Sequence, residues 1–161
     1  MLEIRDLPDD DAEMLLARIG FGHLALAMDN EPYVVPINYA YAKPDIYFYT
    51  TRGKKTEILT VNPRVCLQIE DLDKDGCWRS VVINGTAELV TDWDECHRAV
   101  KMMLENGLEL LAATAIRWEK SWIKASVEAV YKIKPDEMTG RSSTNLMVRS
   151  AVAVPGKLAT N

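Results

Sequence analysis

Apolar and polar positions alternate in short runs over most of this chain. "HLALAMD" from His23, "YVVPINYAYA" from Tyr33, "IYFYTT" from Ile46, "RVCLQIEDL" from Arg64, "WRSVVINGTAELV" from Trp78 and "SVEAVYKIKP" from Ser126 each read as a strand. "DNEP", "KPD" and "DKDG" are turn sequences, so neighbouring strands are expected to pair antiparallel. Helical spacing interrupts this pattern. Pro8 and Asp9 to Asp11 open a first helix, with Met14, Leu15 and Ile19 at helical spacing and Gly20 or Gly22 to end it. Its acidic first turn complements the helix dipole. "TEILTVNP" is a short helix stopped at Asn62-Pro63. Thr91 or Asp92 caps a third helix, with Asp92 and Glu95 at capping-box spacing and Asn106-Gly107 as its stop; "LELLAATAI" follows as a further helical stretch.

Six short antiparallel strands with a few helices predict a mainly β (α+β) fold: a small six-stranded antiparallel barrel with helices at its ends and over one side. Residues 1–138 form this domain, and residues 139–161 are a polar, weakly patterned C-terminal tail. Pro36 has no ladder donor and predicts an edge, a bulge or an opening in the second strand.

The 161 residues suit one domain with a single core, and 48% hydrophobic with 27% charged residues is ordinary globular composition. A net charge of −5 argues against nucleic acid as a partner. No apolar run reaches the roughly 18 residues of a membrane span, and the acidic N-terminus lacks a secretory h-region; a cytoplasmic location is expected. Cys66, Cys77 and Cys96 form no CxxC pair, and two histidines, His23 and His97, do not complete a zinc set; reduced thiols and no metal are expected. "DLDKDG" copies the start of a calcium loop, but Val82 stands at the twelfth position where glutamate is needed, so a hairpin turn is the better reading. There is no GxSxG or GxGxxG, and "RGKKT" lacks the upstream glycine of a phosphate loop. Trp118 and Trp122, one helical turn apart, are interface candidates. Tyr33, Tyr39, Tyr41, Tyr47 and Tyr49 fit both β-propensity and a pocket with aromatic walls.

The stretch "TTRGKKTEI" stands out in an acidic chain. Arg52, Lys54 and Lys55 precede a helix start, whose free N–H groups and partial positive charge attract anions. A solvated turn and a phosphate site both fit this segment. A phosphate-bearing small molecule suits so short a basic patch better than nucleic acid does.

Five segments, "GHLAL", "PYVVPINYAY", "IYFYTTRGKK", "NPRVCLQIED" and "WRSVVINGTAEL", followed by "MTGR", stand in the order found in the FMN-binding split barrels related to pyridoxamine 5'-phosphate oxidase. The chain resembles in particular the branch that includes nitroimidazole-resistance proteins. The resemblance implies a split β-barrel homodimer with FMN at the interface and the C-terminal tail packed on the dimer or partly flexible. It places Pro36, Ile37, Asn38 and Tyr39 along the flavin ring, Phe48, Tyr49, Thr50 and Thr51 further along the pocket, Lys54 and Lys55 on the phosphate with Arg52 nearby, and Arg79, Ser80 and Val81 on a strand facing the flavin. Many relatives in that branch carry histidine where Tyr49 stands, so histidine-dependent haem ligation does not transfer. The C-terminal arginine motif of the true oxidases is not evident, and Arg141 in "TGR" is a poor stand-in. The function expected is an FMN-dependent oxidoreductase passing hydride or electrons through flavin N5 to a small-molecule acceptor, with no assigned catalytic residue; Asn38, Tyr39 and Tyr49 are the polar candidates near the ring. The alternatives are a non-catalytic FMN store or sensor, or a split barrel holding haem or a deazaflavin.

Overall fold

A computed structural model describes residues 2–74, 76–105 and 129–145. The elements are β1 (Leu2–Asp6), α1 (Asp9–Ile19), β2 (Phe21–Met28), β3 (Glu31–Asn38), β4 (Ala40–Ala42), β5 (Asp45–Thr50), α2 (Lys54–Val61), β6 (Arg64–Leu72), β7 (Trp78–Leu89), α3 (Trp93–Glu105) and β8 (Ala129–Asn145). The strands form one antiparallel sheet in the order β3-β2-β6-β7-β8-β5-β4, with β1 added to β8. The sheet curls until β3 approaches β5, giving a half-barrel of the split-barrel kind. Among the described residues it has eight strands, not the six expected. The run from Tyr33 divides at Tyr39 into β3 and β4, and β1 is an addition the pattern did not disclose.

Local chemistry explains the connections. Asp29 and Asn30 both take positive φ, 53° and 65°, which makes the β2–β3 link a two-residue turn matched to strand twist. The "DLDKDG" segment is a hairpin turn, in which Cys77 N–H donates to Asp73 Oδ1 at 2.8 Å. Gly20, at φ 69°, ends α1. Pro36 lies on β3, an edge strand of the sheet order, where a missing donor costs no ladder bond.

Strand β8 organises the sheet. Along one edge it pairs with β7 from Tyr131 to Ser142. Along the other it pairs first with β5, Ala129 to Ile133, and then with β1, Arg141 to Asn145. The polar "TGRSSTN" segment, expected in a tail from Thr139, is therefore ladder-forming strand. The rest of that tail, Trp118, Trp122 and the "LELLAATAI" helix lie outside the described residues. A register shift at Asn84/Gly85 accommodates Pro135 and Asp136 in β8, and Arg64 pairs with Asp136 across it.

Period-two burial sorts the side chains. Leu24 and Leu26, Ile46 and Phe48, Val65, Leu67 and Ile69, and Val81 and Ile83 face the interior, joined by Ala12, Leu15 and Leu16 of α1 and Ile58 of α2. Each large apolar side chain fully buried in this way contributes about 1.5–3 kcal/mol. On the other face, Tyr47 and Val130 pack with Ala99, Val100 and Met103 of α3. Glu95 N–H donates to Asp92 Oδ1 at 2.7 Å, which is half of the expected capping box. The other half is absent because the Glu95 carboxylate turns to the sheet, accepting from Tyr47 Oη at 2.8 Å and Lys132 Nζ at 2.7 Å. This network fastens α3 to β5 and β8. Lys132, then Tyr47, hold the Glu95 carboxyl below its ordinary range, and the carboxylate beside Lys132 raises that lysine in turn.

Two outcomes follow from this packing. A methyl group on Gly85 would lie 2.4 Å from the Lys134 carbonyl oxygen, a backbone atom that cannot swing aside. Gly85→Ala is expected to destabilise the fold by about 1–3 kcal/mol in chemical denaturation. The second concerns acid. Glu95 has a folded pKa below its unfolded value, so its stabilisation is full above the unfolded pKa, about 4.3, and is lost as pH falls through the folded value. Thermal unfolding midpoints should fall below about pH 4.3, and Glu95→Gln should flatten part of that slope; an unchanged slope contradicts the assignment.

Candidate functional site at the start of α2

The start of α2 lies over the seam where β3 and β5 approach. Two side chains fix this placement: Lys54 Nζ stands 4.8 Å from the centroid of the Tyr33 ring on β3, and Lys55 Nζ 5.8 Å from that of Phe48 on β5. Phe48 is itself held in the core, stacked on Tyr131 with centroids 5.5 Å apart and planes 11° from parallel. Gly53, at φ 156° and ψ −162°, occupies a backbone region open essentially to glycine alone, and lets the chain turn from β5 into α2. Having no side chain, it caps nothing; instead its N–H donates to Thr56 Oγ1 at 3.0 Å, and that hydroxyl donates back to the Gly53 carbonyl at 2.8 Å. The boundary expected at Thr56 thus moves to Lys54, bringing both lysines into the first turn.

The electrostatics are unusual for an acidic chain. Most basic side chains with a described partner are paired with carboxylates: Arg18 and Arg79 with Asp71, Lys43 with Glu13, Arg64 with Asp136, Lys132 with Glu95, Lys134 with Glu88 and Arg141 with Asp6. Among the described residues, Lys54 and Lys55 make no such pair; their recorded partners are aromatic faces. Lys55 is half-buried, and this desolvation lowers its pKa. An anion at the helix start would offset that cost and meet the helix N–H groups.

The expected site residues fall into three groups. Phe48, Tyr49, Thr50, Thr51, Arg52, Lys54 and Lys55 run continuously from β5 into α2. Arg52, Thr51 and Lys54 are exposed, whereas Phe48 and Thr50 are buried and Tyr49 packs on the α3 side. Pro36, Ile37 and Asn38 lie at the far end of β3 from Tyr33, so five residues, or about 17 Å of strand, separate Asn38 from the Lys54 seat. Pro36 is exposed, Asn38 half-buried and Ile37 in the core. Arg79, Ser80 and Val81 pair with Ser142 to Gly140, while Thr50 pairs with Ala129. Ala129 and Ser142 are thirteen positions apart on β8, on the order of 40 Å of strand. A single chain does not gather Arg79 to Val81 at the lysine seam.

Tyr39 does not present its hydroxyl to a cleft. It is buried, and Oη donates to the Leu16 carbonyl of α1 at 2.7 Å, with burial raising its pKa far above the ordinary tyrosine value. Val81 is equally buried. Arg79 is shared with Arg18 in an ion triad on Asp71, whose carboxyl both guanidiniums hold below its ordinary range. Tyr33 is the contact that residue type alone singled out least: it appears as one of several β-forming tyrosines, and only the curl of the sheet brings it under Lys54. Among the described residues, two cavities lie elsewhere. One of about 410 Å³ sits between α3 and Tyr47, with Arg98 and Met102 on its wall. One of about 340 Å³ lies by the β6–β7 hairpin, beside Trp78 and Ser143. Among the described residues there is no cluster able to hold a metal ion, and no helix is long and apolar enough to cross a membrane.

Known proteins share this architecture. An uncharacterized protein of Rhizobium meliloti strain 1021 is 28% identical over 148 residues, 87% of this chain and 95% of its own. The crystal structure of an FAD-binding protein from Mesorhizobium loti matches with a TM-score of 0.73 and 27% identity, covering 90% of this chain and all of that one. A candidate 5-nitroimidazole antibiotic resistance protein from Bacteroides thetaiotaomicron shares the fold, with a TM-score of 0.72 at 19% identity over 89% of each chain. The family model described as pyridoxamine 5'-phosphate oxidase matches residues 8–142, nearly the whole described sheet. This chain belongs to the pyridoxamine 5'-phosphate oxidase family.

Proposed function

We propose that this protein binds FMN and acts as a flavin oxidoreductase, with the flavin phosphate at the start of α2. The observation that carries the reading is the pair of ammonium groups at the β3–β5 seam, held on aromatic rings and lacking carboxylate partners among the described residues. The residues fit a phosphoester. Lys54 and Lys55 supply charge-assisted donors, the first turn of α2 supplies backbone N–H groups, and Thr51 and Arg52 flank them in the open. A flavin is favoured over other phosphoesters by the family match and by the FAD-binding relative from Mesorhizobium loti. The bound flavin would supply redox chemistry at N5, passing hydride or electrons to a small acceptor.

The chain's own residues bind and orient. Lys54 and Lys55 fix the phosphate end. Pro36 and Asn38 on β3 present exposed and half-buried surface further along the sheet. With the Tyr39 hydroxyl committed to Leu16, no described side chain at the seam is a ready acid or base, so the protein contributes position and field more than proton transfer. The long separation of Arg79 to Val81 from the lysines supports a site shared by two copies of the chain, each supplying one group to the partner's flavin. A homodimer is the assembly this reading requires, and we place it in the cytoplasm as the acidic, span-free sequence suggests.

Titration by flavin fluorescence tests the phosphate role. FMN should bind far more tightly than riboflavin. Lys54→Ala and Lys55→Ala should each weaken FMN binding by about tenfold to a hundredfold, since a charge-assisted bond contributes about 1.5–3 kcal/mol, and should leave riboflavin nearly unaffected. Without ligand, neither change should lower the unfolding midpoint, because Lys55 is partly desolvated and Lys54 is exposed. Equal affinity for the two flavins contradicts the proposal. Bleaching of the yellow protein by NAD(P)H and recovery in air supports turnover; inertness to every reductant except dithionite supports a flavin store instead.

Assembly is tested independently. Light scattering with FMN present should give about twice the 18.1 kDa chain mass. A monomer at micromolar concentration removes the shared-site arrangement.

A further inference from the structure

We infer that Tyr33 is the positioning residue that makes this site select a flavin by its phosphate: its ring seats the Lys54 ammonium over the β3–β5 seam without consuming its charge. The inference deepens the FMN reading above and rests on it. Its ground is the difference between the two kinds of partner a lysine can have. A carboxylate neutralises an ammonium and occupies its N–H donors. An aromatic face attracts the cation through its quadrupole while leaving the net charge and the outward N–H groups available. Most described basic partners of this chain are carboxylates, as at Lys43, Lys132 and Lys134. At the seam the partners are rings.

The two rings are not equivalent. Phe48 is fully buried and stacked on Tyr131, so it is part of the core whatever Lys55 does. Tyr33 is only partly buried, lies on the edge strand β3 and packs against the margin of the core. Its packing is marginal rather than central to the core. Lys54 itself is exposed, and an exposed lysine left alone samples many rotamers. The Tyr33 face, 4.8 Å from Nζ, restricts that freedom before any anion arrives. The β2–β3 hairpin thereby contributes to a site that otherwise belongs to β5 and α2. Tyr33 pairs with Leu26 in the register set by the Asp29-Asn30 turn, so the seat is placed by hairpin geometry.

The test compares FMN and riboflavin affinities in wild type, Tyr33→Phe and Tyr33→Leu. A cation–π contact is lost in the leucine variant and kept in phenylalanine, so Tyr33→Leu should lose about threefold to tenfold in FMN affinity with riboflavin unchanged, and Tyr33→Phe should retain wild-type discrimination. A lysine-methylene NMR spectrum of the unliganded wild type supplies a second readout. Lys54 Hε resonances should be shifted upfield by the ring and should return to the ordinary lysine position in Tyr33→Leu. If wild type discriminates FMN from riboflavin and Tyr33→Leu discriminates equally well, this inference fails while the phosphate reading stands. Equal loss of both flavins in Tyr33→Leu also overturns it, showing the ring to be a wall for the flavin. An unshifted Lys54 in the wild type overturns it without any ligand. Wild type that binds riboflavin as tightly as FMN overturns the phosphate reading and this inference together.

Discussion

Strand β8 needs hydrogen-bond partners along both edges, and meeting that need determines the rest of the molecule. Its 17 residues exceed the length of any one partner. One edge takes β7 nearly whole, and the other is divided between β5 and β1. Because β5 is fixed at one end of β8, and β3 reaches its place through β2, β6 and β7, the curl of that path brings two strands distant in pairing order face to face. The seam they form is where α2 begins. The bulge at Gly85 and the close approach of Lys134 belong to the same bending.

The seam carries two cations that, among the described residues, have no carboxylate partner. A net charge of −5 provides carboxylates for many cations, yet the two lysines of α2 rest on rings. Lys55 is desolvated at a cost to its charged form. An anion would offset that cost, and a phosphate dianion at a helix start has the required charge and geometry. The α3 network shows the contrasting arrangement. There Glu95 answers Lys132 within the chain, and the group fastens a helix.

Much of this was legible in the sequence, for physical reasons that differ by element. Period-two burial exposed β2, β6 and β7 because one face of each meets the core, whereas β5 is buried on both faces and was legible from its β-forming residues. The Asp-Asn and Asp-Lys-Asp-Gly turns were legible from residues that accept positive φ or bond their own backbone. The end of β8 was not legible: "TGRSSTN" is polar, and it is strand because β7 and β1 supply ladder partners from opposite ends of the chain. Pairing, not hydrophobicity, decides such a segment. The cation site was legible as Arg-Gly-Lys-Lys before a helix, but its aromatic seats were not, since Tyr33 and Lys54 meet only through the curl of the sheet. Tyr39 shows what residue type cannot convey. A tyrosine in a tyrosine-rich strand suggests a pocket wall, whereas its hydroxyl closes a helix carbonyl inside the core.

The central claim is that the seam between β3 and β5 holds a flavin phosphate, and the most direct measurement is a crystal structure of the chain grown with FMN. The account predicts phosphate oxygens within about 3.2 Å of Lys54 Nζ, Lys55 Nζ or the first-turn N–H groups of α2. Density for the phosphate at another place, such as the cavity beside Arg98, with the two lysines still resting on their rings and facing solvent, would contradict it.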